Sequence, residues 1–254
     1  MPEAWIGRAV EAFWDAAGGT APFPRDMGRA VESGLPASIV PLPGLTLGTV
    51  GAWLVRAGLP TAGDEPERTL CGCLVAWRGQ GTIFVDADGP PDEQRLTVAH
   101  EAAHLICDHL MPREAAVARL GAAALEVLDG QREPSDAERL DAALARVPLG
   151  VQVHLLERGG AATAAAEERA DRLALELVAP FDEVARRLGD ARREPAAQAA
   201  RATALLVKEF GVPPAVAAAY GRRIGWATAR ASRLTALLHD RPASHLRPRT
   251  GRRG

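Results

Sequence analysis

The stretch 96-LTVAHEAAHLICDH-109 places two histidines four residues apart, with a glutamate directly after the first. On a helix, residues i and i+4 share a face one turn apart, so His100 and His104 can present their imidazoles to a single point. Glu101 is rotated off that face, yet its side chain is long enough to swing a carboxylate back toward the same point. Ala102 and Ala103 are small and helix-favouring. The same residues also fit a buried alanine-rich helix whose histidines only make hydrogen bonds, so the surrounding chain has to separate the two readings.

Upstream, 70-LCGCLVAWRG-79 and 81-GTIFVDA-87 read as two strands of a β-hairpin joined at Gly79-Gln80-Gly81. The acidic run 64-DEPER-68 before them reads as a surface loop. Residues 3–17 carry Ile6, Val10, Phe13, Trp14 and Ala17 at helical spacing and end at Gly18-Gly19. Pro and Gly break the segment that follows. Within it, SIVPLP suggests a short strand, and LTLGTVGAWLV is an apolar run whose type the pattern leaves open.

Downstream, helical periodicity continues through Leu110, and Pro112 marks its expected end. Residues 113–128 and 135–146 read as two more helices, 151-VQVHLLE-157 as a short strand and 159-GGAAT-163 as a loop. A helix from about 164 to 179 stops at Pro180, and two further helical segments, 195–209 and 214–231, flank the turn 210-FGVPP-214. The expected class is α+β, a small antiparallel sheet packed on a mostly helical domain. Three regions follow: 1–69, an N-terminal helix with an irregular and strand segment; 70–231, the main domain, with an insertion at 113–163 and a closing helix pair at 195–231; and 232–254, an Arg/Pro-rich tail. Its end, 241-RPASHLRPRTGRRG-254, holds five arginines and no acid, a composition that favours disorder.

Composition narrows the function. Hydrophobic residues make up 47% and charged residues 24% of the 254, as expected of a folded globular protein. A net charge of −2 gives no general pull toward nucleic acid or anionic membrane. No run of 18 apolar residues suggests a membrane span, and the first residues lack the pattern of a signal peptide. Cys71 and Cys73 lie too close for an easy mutual disulfide and Cys107 has no evident partner, which fits a cytoplasmic location.

His100-Glu101-Ala102-Ala103-His104 is the H-E-x-x-H arrangement, in which two histidines hold zinc and the glutamate moves the protons of peptide hydrolysis. A catalytic zinc takes three protein ligands, so a third is required. His109 falls five residues after His104, about 140° round the helix. The longer zincin motif needs Gly and His where this chain has Cys107 and Leu110. Cys107 lies on the histidine stripe but fits a small core residue better. The segment 164-AAAEERADRLALELVAP-180 offers Glu167, Glu168, Asp171 and Glu176. Glu167 shares a stripe with Ala170, Ala174 and Leu177, where an acid is costly unless paired or ligating. Glu168 and Asp171 sit on the adjoining face, and Glu176 is expected in solvent.

QRLTVAHEAAHLICDH followed by EERADRLALELVAP resembles the ImmA/IrrE family of bacterial metallo-endopeptidases, as do the strand TIFVDA and the closing LLVKEFGVPPAVAAAYGRRIG. Leu96 and Leu173 stand where that family usually has phenylalanine, and the gap from His104 to Glu167 is longer than in most relatives. The resemblance implies a gluzincin-like fold, zinc (with manganese as the alternative), His100, His104 and Glu167 as metal ligands, and Glu101 as general base. It implies a protein substrate, typically a helix-turn-helix transcriptional repressor whose cleavage releases genes of stress response or mobile-element transfer. It also suggests that substrate lies extended along an exposed strand, placed here at 81–87. His109, His154 and Tyr220 are the candidates for stabilising an oxyanion.

A rival reading makes the chain a non-catalytic metal-binding regulator, or a DNA-binding protein using 205-LLVKEFGVPPAVAAAYGRRIG-225 as a helix-turn-helix. The alanine-rich second helix has few side chains able to reach base edges, so direct nucleic-acid contact is not the expectation.

Overall fold

The computed structural model describes residues 3–58, 67–145, 161–189 and 194–239; at 145, 161–162 and 230–239 it describes the backbone alone. Helix α1 (Ala4–Ala16) buries Ile6, Phe13 and Trp14, members of the stripe expected from their spacing. Helix α2 (Met27–Gly34) begins at Asp26, whose carboxylate accepts the Arg29 N–H at 3.0 Å. Strand β1 (Ala37–Leu42) follows. The unsettled apolar run is then helix α3 (Leu47–Arg56), where Thr46 and Thr49 cap each other's backbone N–H reciprocally. That helix buries Val50 and Leu54.

Strands β2 (Gly72–Trp77) and β3 (Gln80–Asp86) form the expected hairpin, with Cys73 opposite Phe84. Its loop is Arg78-Gly79, both with positive φ, as a two-residue type I′ turn demands. The turn thus sits one residue earlier than the sequence spacing suggested. The sheet order is β1-β3-β2, and β1 runs parallel to β3 from Ala37↔Gly81 to Leu42↔Asp86. The α+β class stands, while the sheet is mixed: antiparallel in the hairpin and parallel at β1. The crossover through α3 and β2 is long enough to permit that return. Alternate residues face opposite sides: Leu74, Ala76, Ile83 and Val85 join the main core, and Cys73, Val75 and Phe84 pack under α3. Both faces of the sheet are covered, so its strands read as nearly continuous apolar runs.

Helix α4 (Pro91–His104) packs against this sheet, with Val98, Ala99, Ala102 and Ala103 all buried. Pro112 does not end it. Residues Leu105–Leu110 make a turn of π-helix, and α5 (Met111–Leu120) continues with Pro112 in its first turn. Pro112 has no N–H for the carbonyl of residue 108, and its ring crowds that carbonyl; a widened turn absorbs the misfit. The insertion holds α6 (Ala124–Leu128) and α7 (Asp136–Ala145). Helix α8 (Ala161–Val178) then crosses α4, its fully buried Ala170 and Ala174 in the same core as Ala99, Ala102 and Ala103. Small residues on both sides bring the two helices close.

Helices α9 (Phe181–Leu188), α10 (Pro195–Phe210) and α11 (Pro214–His239) build a second core around Val184, Leu206, Phe210, Tyr220 and Ile224. A Cβ on Gly221 would lie 2.8 Å from the Thr203 nitrogen, and one on Gly225 would collide with the Ala199 backbone. The contact moves down α10 as it moves up α11, so the pair is an antiparallel hairpin in backbone contact. A helix-turn-helix instead crosses its helices steeply. The expected strand at 151–157, with His154, lies outside the described residues. So does the end of the expected tail beyond His239. No described helix is long and apolar enough to cross a membrane.

Candidate metal centre

The last two turns of α4 bring the Nε2 atoms of His100 and His104 to 3.1 Å from each other. Glu167, from α8, closes the triangle, with Oε2 3.3 Å from His100 Nε2 and Oε1 3.5 Å from His104 Nε2. A tetrahedral zinc with bonds of about 2.0–2.1 Å holds its ligand atoms about 3.3–3.4 Å apart, so the three side chains fit such an ion. Two imidazoles and one glutamate are the donor set of a catalytic zinc site, which keeps its fourth position for water or substrate.

Each histidine is held from behind. Nδ1 of the buried His104 lies 2.7 Å from Asp108 Oδ2, and Arg169 Nη2 donates to Asp108 Oδ1 at 2.9 Å. Nδ1 of His100 lies 3.1 Å from Asp171 Oδ1. Burial works to lower the His100 pKa, but the Asp171 hydrogen bond and the charges of Glu101, Asp171 and Glu167 outweigh it and raise the value. Burial would raise Asp108; bonds to His104 and Arg169 overcome it and hold the carboxyl below its usual range. Glu101 is raised, chiefly by burial, against the lowering effect of the two imidazoles and the Leu74 backbone.

Glu101 and His100 lie on the wall of a cavity of about 910 Å³ between α4, α8 and the first turns of α11. Leu96, Leu175 and Val216 supply apolar lining, and Cys71 and Gly72 form the rim at the start of β2. A Cβ on Gly72 would collide with Thr97 and approach Glu101 Cγ to 3.4 Å, so glycine lets the strand settle directly on α4. Strand β3 is central, paired on both sides, and cannot receive an extended segment along 81–87. Among the described residues, the sheet edge beside the cavity belongs to β2.

Residues 64–133 match the family model for the IrrE N-terminal-like domain of the M78 peptidases. This segment belongs to the ImmA/IrrE metallopeptidase family. The match spans the hairpin, α4 and the π-turn, and so contains His100, Glu101 and His104. It ends before α8, leaving Glu167 to rest on the geometry just described. No curated protein and no solved structure matches the chain.

Around this family domain, the other sequence candidates have separate places. Cys107 packs against the main core, its thiol pushed up to about 12 by burial. His109 is buried and accepts the Gly79 N–H at Nε2, 3.0 Å away, tying the π-turn to the hairpin. Glu168 lines the cavity outside the donor triangle. Glu176, expected in solvent, is buried and accepts from the Phe181 N–H at 3.1 Å and the Tyr220 hydroxyl at 3.2 Å. Tyr220 lines the cavity, yet its hydroxyl is engaged by Glu176 and the Ala179 carbonyl. Asp108, Arg169 and the bond from Asp171 to His100 escaped the sequence reading. A signal existed: Asp108 is four residues after His104, and Asp171 four after Glu167, the same spacing that singled out the histidines.

Proposed function

We propose that the protein is a zinc-dependent endopeptidase acting in the cytoplasm on a protein substrate, a helix-turn-helix transcriptional repressor. The observation that carries this reading is the convergence of His100, His104 and Glu167 at tetrahedral spacing, beside Glu101 on the cavity wall. Nε2 of each histidine and the Glu167 carboxylate would hold the ion, zinc before manganese because imidazole suits zinc. A bound divalent cation supplies Lewis-acid activation of water and of the scissile carbonyl.

The remaining work falls to the chain itself. Asp108 and Asp171 accept from the Nδ1 protons, which keeps the Nε2 lone pairs aimed inward. Glu101 takes a proton from the attacking water and returns it to the leaving amine. Apolar walls at Leu96, Leu175 and Val216 shield the reacting groups from bulk water. The edge of β2 offers backbone groups to an extended substrate segment.

The test pairs the zinc-loaded protein with a repressor encoded beside its gene. Wild type should cut it at one site, and Glu101→Gln should retain zinc while cleavage falls by about 10²–10⁴-fold. Unchanged cleavage in that variant would remove Glu101 from its role.

A further inference from the structure

Asp108 does more than fill space behind His104. Its side chain is 13% exposed and its two oxygens are divided between two helices: Oδ2 faces His104 Nδ1 at 2.7 Å, and Oδ1 takes the Arg169 guanidinium at 2.9 Å. Arg169 stands on α8 two residues after Glu167. One carboxylate therefore touches a histidine of the donor triangle and the helix that brings the glutamate to it. Asp108 lies in the π-turn immediately after His104, one turn along the same face. By contrast, Asp171, behind His100, is 68% exposed and bonds at 3.1 Å.

We infer that Asp108, clamped by Arg169, is the positioning residue of the metal centre: it fixes the His104 tautomer with its proton on Nδ1 and sets α8 so that Glu167 meets the two imidazoles. The inference rests on the metal site proposed above. Asp108 follows His104 by four residues, the spacing that puts one side chain over another on a helix face. Arg169 has a role as well, since its guanidinium holds Oδ1 at 2.9 Å and ties the carboxylate behind His104 to α8.

The experiment measures zinc affinity of the full chain by competition with a chromophoric chelator, for wild type and for Asp108→Ala, Asp108→Asn and Arg169→Met. Metal-free melting temperatures and the ¹⁵N shifts of the His104 ring are recorded alongside. Asp108→Ala should weaken zinc binding by about 10–100-fold, the usual cost of losing a hydrogen-bond partner behind a ligating histidine. Asp108→Asn, which still accepts from Nδ1, should recover part of that loss, and Arg169→Met should lose less than Asp108→Ala. In the metal-free protein the His104 ring should pass from a single Nδ1–H tautomer to a mixture in Asp108→Ala. If all three variants bind zinc as wild type does and the tautomer is unmoved, the positioning role is wrong while the metal site stands. If wild type itself fails to bind zinc, both fall together.

Discussion

His104 has 5% of its side chain exposed, whereas Glu167, 3.5 Å away, has 53%. The two walls of the metal centre are built on different principles. The α4 wall lies between the sheet and α8, with fully buried alanines at 99, 102 and 103 leaving little room for adjustment. On α8, Leu173, Ala174 and Leu177 anchor the C-terminal half in the core, while Glu167, Glu168 and Asp171 are exposed. Glu167 therefore depends on the distant apolar anchor and on Arg169 for its placement. Two histidines are delivered by packing, and the third member of the triangle by a lever.

If the lever picture is right, damage at its buried end should be the most severe. Leu177→Ala removes a fully buried side chain and should cost about 2–5 kcal/mol of stability by denaturant unfolding, loosening Glu167 along with the fold. Next comes the free end. Glu167→Gln should weaken zinc at least as much as the 10–100-fold typical of losing a group behind a ligand, while Glu168→Gln should leave chelator competition nearly unchanged. A reversed order would move the ligand by one residue.

pH separates the two walls more finely. Zinc needs His100 neutral, and its raised pKa in the metal-free protein means a proton competes from higher pH than for an ordinary imidazole. Zinc affinity should therefore hold at alkaline pH and decline as pH falls through that raised value. Asp171→Asn removes a main cause of the rise, so its decline should begin at lower pH. The same variant should cost the least affinity at high pH, at the bottom of the 10–100-fold range or under it, because Asp171 is mostly exposed. Isothermal titration across pH reads both effects.

Much of this architecture was legible in the chain. His100, Glu101 and His104 stood out because helical spacing alone puts the two imidazoles on one face. Glu167 stood out because an acid on an alanine-lined stripe needs a reason. The hairpin and α1 followed from their periodicities. What stayed hidden depended on partners distant in sequence. Alternation marks a strand without naming its neighbour, so the parallel pairing of β1 with β3 was not readable. Helix α3 hid because a threonine pair, rather than the usual Ser/Thr with Glu, makes its reciprocal cap. Pro112 read as a stop because a π-turn that accommodates it has no simple sequence pattern. Asp108 went unnoticed because its use depends on an arginine 61 residues away. Glu176 looked solvated until α11 delivered Tyr220 to it.

Anomalous diffraction at the zinc edge, from crystals of the zinc-loaded full chain, tests the central claim most directly. The account expects one strong peak about 2.0–2.2 Å from Nε2 of His100, Nε2 of His104 and a carboxylate oxygen of Glu167. A peak away from those atoms, or one ligated by Glu168 or Asp171 with Glu167 turned to solvent, would contradict it.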